Sequence, residues 1–254
     1  MADSQALEGL RARIRALERP GQDRAPVVSM GAATLDAALP WGGLPRGRVH
    51  QVTGGEDGFL GPVLGFAAGL AGRLVSEDAP LLWVVQAGSA DDALYAPGLA
   101  ALGLPPGRLL VARATDPAEV LWCMEEALRC PALGAVIGQV RSVDMTAGRR
   151  LQLAAEQGGV TGFVLPSAHG AGWREAAATP ATAATTRWRV EPAPSAAVPW
   201  RGLGPPRWSL TLERCQGGLP RSWLVEKADA TGDLVVVATL SDRPADPGPL
   251  RRLA

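Results

Sequence analysis

The chain of 254 residues is nearly without lysine: Lys227 stands alone, and arginine supplies the rest of the positive charge. A GC-rich coding bias accounts for that more simply than a demand for guanidinium chemistry. Formal net charge is zero, which argues against bulk electrostatic capture of nucleic acid. Histidine is equally scarce. His50 and His169 have no ligand-spaced partner, so no metal site is expected, and a histidine-dependent triad would have to rest on one of them. Three cysteines cannot make a paired framework. Cys123 and Cys130, seven apart on one expected helix, read as buried, reduced thiols. No apolar stretch reaches the roughly 18–20 uncharged residues of a membrane span. The opening MADSQALEGLRARIRALERP carries acids and has no long apolar core, so it does not read as a secretion signal. The expected location is the cytoplasm, with no membrane partner.

What is present suits one sizeable core: 47% hydrophobic and 20% charged residues. Leu7, Leu10, Ile14 and Leu17 recur at spacings of three and four, which predicts an amphipathic helix over 4–19, ended by Pro20-Gly21. This N-terminal unit, 1–21, either folds back on its own core or docks on another chain. From Val27 strands and helices alternate. VHQVT (49–53), PLLWVV (80–85), RLLVARA (108–114), GAVIGQV (134–140) and VTGFVL (160–165) read as strands. Between them lie helices at 64–74, around LYAPGLAALGL, after Asp116 and after Thr146. Asp116 is expected to cap, with Pro117 in the first turn and Glu119 completing a capping box. Thr146 is expected to cap the next helix, which Gly158-Gly159 stops. The alternation predicts an α/β fold: a doubly wound, mainly parallel sheet with helices on both faces.

After Pro166 the character changes. Residues 167–186 are small and polar and are expected to be flexible. TTRWRV, PRWSLTLERC, SWLVEKA and LVVVATL then read as antiparallel strands toward the C-terminus. The core is thus expected over 27–240, with a loose tail at 241–254. Arg187, Arg189 and Arg201, with Arg174, interleave with Trp173, Trp188, Trp200 and Trp208, a mixture able to hold phosphates and stack bases. Strand alternation offers the plainer reading, with Trp on a buried face and Arg on a solvated one. Trp173, Arg174, Arg187, Arg189, Trp200 and Arg201 are therefore candidate DNA contacts, of which Trp173 and Trp200 lie outside strands.

The segment VHQVTGGEDGFLGPV has the layout of a phosphate-binding loop: strand, glycine-rich turn, helix. Such a loop needs a lysine for the β/γ-phosphates and a hydroxyl for magnesium. With Gly54 opening the loop, Leu60 and Gly61 take those two positions. Gly55 and Gly58 keep the turn, but Glu56 and Asp57 would meet phosphate with like charge. Pro62 removes a further N–H. The loop at 54–61 is read as degenerate and not expected to bind ATP.

The stretch VSMGAATLDAALPWGGLPRGRVHQVTGGEDG resembles the start of the RecA recombinase core, through Gly31, Leu35-Asp36, Ala38-Leu39, Gly42-Gly43-Leu44-Pro45 and Gly47. The likeness continues through LYAPGLAALGLPPGRLL to LERCQGGLPRSW and covers most of 27–227. It implies a RecA-like fold with its ATP machine removed. The catalytic glutamate position falls near Gly88, the magnesium-supporting aspartate on Gln139, and the γ-phosphate sensor near Pro166-Ser167. The span from Val140 to Arg149 is too short for RecA's first DNA-binding loop. Within RecA-like folds the chain resembles the ImuA family of bacterial SOS mutagenesis proteins, above all in MTAGRRLQLAAEQGGVTGFVL and LWCMEEALRCPALGAVIGQV. That resemblance implies a damage-induced, non-enzymatic accessory factor without a cofactor. Its implied partners in translesion synthesis are ImuB, an inactive Y-family polymerase relative, and an error-prone α-subunit polymerase. RecA, single-stranded DNA and a second copy of the chain are further candidate partners, and Leu7, Leu10, Ile14 and Leu17 are candidate partner contacts. The alternatives are a single-stranded DNA-binding protein or RecA modulator, an ATPase in RecA's manner, and a cell-division inhibitor of the SulA type.

Overall fold

The computed structural model describes residues 26–55, 59–88, 94–167, 182–199, 202, 204–228 and 233–240. The expected helix at 1–21 and tail at 241–254 lie outside them. Eleven strands and five helices are described: β1 Val27–Val28, α1 Ala33–Asp36, β2 Leu44–Pro45, β3 Val49–Thr53, α2 Leu60–Gly72, β4 Leu81–Gln86, α3 Ala96–Ala101, β5 Leu109–Ala114, α4 Pro117–Leu128, β6 Ala135–Val140, α5 Met145–Gly158, β7 Thr161–Pro166, β8 Thr186–Ala193, β9 Arg207–Cys215, β10 Arg221–Lys227 and β11 Leu234–Leu240.

Nine strands form one sheet in the order β11-β10-β9-β8-β3-β7-β6-β4-β5. From β5 to β8 all neighbours are parallel; β8 to β11 run antiparallel. β8 is the pivot, parallel to β3 on one side and antiparallel to β9 on the other. Strands β3, β6 and β7 are buried along their whole length because both sheet faces are covered; the polar His50, Gln51 and Thr53 of β3 are buried with the rest.

Alternation along each strand feeds two cores. Leu81, Trp83 and Val85 of β4 pack with α2, whereas Val84 packs with α4 and α5. On the α2 side, Phe66 meets Trp188 at 5.9 Å and Trp208 edge-on at 6.5 Å, and Trp188 meets Trp223 at 6.2 Å. Each such pair adds about 0.5–1.5 kcal/mol beyond area burial. The same core is roofed by Met30, Leu35, Leu39 and Leu44. Asp36 fixes that roof by accepting from the Ser29 hydroxyl (2.6 Å) and the Met30 amide (2.7 Å).

Several details differ from the sequence reading. α2 begins at Leu60, four residues early, because Pro62 fits a first turn that has no use for its N–H. Asp144, not Thr146, caps α5 by accepting from the Ala147 amide at 2.7 Å; Gly159 at φ 71° ends it. Asp116 caps α4 as expected, through the Ala118 and Glu119 amides. Glu119 closes back one residue further out, on the Thr115 amide and hydroxyl. Cys130 lies past the end of α4 and is exposed; Cys215 is the buried cysteine. The segment expected to be flexible is anchored at its ends, since Ser167, Thr185 and Thr186 are buried; residues 168–181 between them lie outside the described residues.

Candidate functional site

The turn after β3 lies at the carboxyl ends of the parallel strands, where open α/β sheets place their ligands. Thr53 ends the strand, its hydroxyl donating to the Trp188 carbonyl at 3.2 Å. Gly54 and Gly55 follow; Glu56, Asp57 and Gly58 lie outside the described residues. The chain re-enters at Phe59, which is 55% exposed and caps α2 without a side-chain hydrogen bond. Leu60, Gly61 and Pro62 form the first turn. The helix N-terminus therefore offers a favourable partial charge, but no cationic side chain stands in that turn.

Gly55 has a neighbour that the sequence does not announce. A Cβ there would run into the carboxylate of Glu191 on β8. The cause is register: Thr53 of β3 lies beside Arg189 of β8, so the next residue of like orientation, Glu191, reaches over the turn. An acid thus stands against the backbone that a phosphate would have to approach.

Gln139 and Gly88, the positions at which the RecA resemblance puts lost acids, each have a local setting in the fold. Gln139, 1% exposed near the end of β6, accepts from the Trp83 indole N–H at 2.7 Å. Its amide nitrogen has no partner among the described residues. A buried indole needs an acceptor, and a neutral carboxamide supplies one without burying charge. Gly88 follows β4 at φ 74°, exposed, with open space where a Cβ would be. Any side chain there would sit in the left-handed region, at a cost in strain.

His50 is structural. The Trp188 indole donates to the Thr186 hydroxyl oxygen (2.9 Å), which is 2.8 Å from His50 Nδ1, and Nε2 is 3.0 Å from the Pro45 carbonyl. Because a carbonyl only accepts, Nε2 carries the proton and Nδ1 accepts from Thr186. Full burial lowers the imidazole pKa to about 4, with nearby Arg48 adding to the fall and the Pro45 bond opposing it. His169 lies outside the described residues.

Of the DNA-contact candidates, only Arg187 and Arg189 are described. Arg187 is 5% exposed and donates through Nε to Glu213 at 2.9 Å; alternation had placed it on a solvated face. Glu213 also stands 3.1 Å from Arg189 Nε, and the Arg189 side chain is 41% exposed. Trp173, Arg174, Trp200 and Arg201 are outside the described residues, as are Leu7, Leu10, Ile14 and Leu17. Among the described residues no cluster of histidine, cysteine and carboxylates could hold a metal ion, and no helix is long and apolar enough to cross a membrane.

Two curated relatives share this sequence over 212 residues at 42% identity: Protein ImuA of Caulobacter vibrioides strain NA1000 / CB15N and of strain ATCC 19089 / CIP 103742 / CB 15. In each case the match covers 81% of this chain and 85% of the relative. The chain belongs to the ImuA family. No family model matches it. A crystal structure of a KaiC-like protein from Pyrococcus horikoshii OT3 superposes with a TM-score of 0.52 at 14% identity, covering 84% of this chain and 100% of that one. The ImuA-family chain therefore has the RecA-like α/β fold expected from its sequence, with antiparallel strands added on the C-terminal side.

Proposed function

We propose that this ImuA-family protein is a non-enzymatic accessory factor of error-prone translesion DNA synthesis, acting in the SOS damage response through protein contacts. The observation that carries the reading is the use made of the old phosphate positions. By the RecA resemblance Leu60 and Gly61, which open α2, take the places of a cation and a magnesium-binding hydroxyl; Glu191 stands against Gly55, and Gln139 accepts from Trp83. The residues do not fit ATP with its magnesium, and fold alone entails no activity. The ImuB-like inactive Y-family polymerase and the error-prone α-subunit polymerase are the partners that the family likeness supports. In the same reading the molecule divides into the helix at 1–21, the RecA-like core at 27–240 and the tail at 241–254.

Parallel binding assays of the purified protein with ATP and magnesium, single-stranded DNA, RecA and the ImuB-like subunit test this. Binding to the polymerase subunit without binding to nucleotide is the expected pattern. ATP binding near micromolar would reverse it.

A second reading, direct contact with single-stranded DNA, is favoured by the Arg and Trp residues that interleave through 173–208, among them the half-exposed Arg189. About four phosphate contacts would give a salt slope of roughly −3. A flat salt dependence would dispose of it.

A further inference from the structure

The nine-stranded sheet ends in β5 and β11, each of which has a strand neighbour on one side only among the described residues. An open strand edge is a row of backbone donors and acceptors ready to pair, and proteins that keep such an edge single blunt it with charge, proline or a cover. β5 carries an exposed arginine, Arg113. β11, LVVVATL, carries neither a charged residue nor a proline. Leu234 and Val236 pack with the α2-side core, whereas Val235 is 51%, Val237 42% and Leu240 41% exposed. The strand has one irregularity. Ala238 pairs with Leu224 and Val236 with Val225, so Val237 is the extra residue of a bulge. A bulge can turn an edge aside, but the residue inserted here is itself an exposed valine.

Neither end of the chain is suited to cover this edge with a strand. Residues 1–21 have helical spacing, and 241–254 carry Pro244, Pro247 and Pro249, which cannot donate to a ladder. A second β11 meets the requirements. An uncharged strand facing its own copy sets no like charges opposite one another. A two-fold axis normal to the sheet pairs two such edges antiparallel, the sense in which β8 to β11 already run. The sheet then continues through both copies, and the exposed valines lie within it rather than at its margin.

We infer that β11 is a self-association edge, on which a second copy of this chain adds its own β11 in antiparallel sense. The inference goes beyond the accessory role and does not depend on it. Sedimentation equilibrium of the full chain at micromolar concentrations tests it, and twice the mass of the chain is expected. Val235→Lys and Val237→Lys, which oppose like charges across the axis, should each weaken the dimer about tenfold or more. Leu219→Ser, at an exposed turn before β10, should leave it unchanged. Amide exchange over 234–240 should be slow in the dimer and quicken on dilution. A wild-type chain that stays monomeric overturns the inference. A dimer that survives both lysine variants, or whose β11 exchange ignores dilution, overturns the edge as its seat. Amides of β11 that slow only when the ImuB-like subunit is added to a monomeric chain give the edge to that partner and overturn self-pairing. Far-ultraviolet circular dichroism establishes that each variant is folded, and the exchange measurement on the wild type carries the test if neither lysine variant is.

Discussion

A carboxylate at position 139 would be as enclosed as the glutamine now there and would put a charge where a neutral acceptor now meets the Trp83 indole. Gln139→Asp is therefore expected to destabilise the fold, by about 3 kcal/mol at pH 8, since a lone buried charge costs on that order. The deficit should shrink as pH falls, because burial raises the acid's pKa and protonation removes the charge. Urea unfolding at pH 8 and pH 5.5 checks both statements; equal loss at the two values would mean that the carboxylate finds solvent. His50 carries a second pH dependence of opposite sense. Its folded pKa of about 4 lies below the ordinary 6.5, so the unfolded chain binds the extra proton first. Its contribution is full above about 6.5 and is lost as pH falls toward 4, up to about 3 kcal/mol in total. His50→Gln should remove that slope between pH 6.5 and 4. Gly55 adds a steric test. Gly55→Ala should cost less than about 1 kcal/mol, because the Glu191 carboxylate it meets is the end of a flexible side chain that can turn away, and Glu191→Ala in the same chain should remove that cost.

At the scale of the element, helix starts are governed by which side chain reaches the first free amides. Asp144 does so for α5, and Thr146 is already inside the helix. Asp144→Ala is expected to lower stability by about 1 kcal/mol, while Thr146→Ala should be near neutral; the opposite ranking in thermal unfolding would restore the threonine as the cap. The distinction shows what the sequence could carry. Strands β4, β6 and β7 were legible because strands covered on both faces are mostly apolar, and β3 because it leads into a glycine-rich turn. The cap of α4 was legible because Asp116-Pro117 admits few readings. The α5 cap was ambiguous because an aspartate and a threonine stand two residues apart, and only the backbone turn decides between them. Glu191 was not legible at all. Its place over Gly55 depends on β8 lying beside β3, more than 130 residues away in the chain, and strand order leaves no local signature. The burial of Arg187 has the same origin: its partner Glu213 arrives on β9.

For the whole molecule, the nine-stranded sheet sets both what is retained and what is given up. Parallel strands bring the end of β3 to the carboxyl edge of the sheet, and an aromatic core packs beneath α2. The opposite layer, α4 and α5, presents Trp122 and Leu153 outward. On the proposed function, such a molecule keeps a RecA-like fold for protein contacts, and Gln139 serves packing through its bond to Trp83. Removing residues 1–20 separates two sources of partner affinity: undiminished binding of the ImuB-like subunit by a folded chain would take the N-terminal segment out of the interface. The most direct measurement is isothermal titration of the intact protein with ATP and magnesium. The account predicts no saturable heat at nucleotide concentrations up to about 1 mM, corresponding to an affinity weaker than about −4 kcal/mol. A saturating isotherm near micromolar, about −8 kcal/mol, would show that the loop still cradles phosphates and would contradict the account.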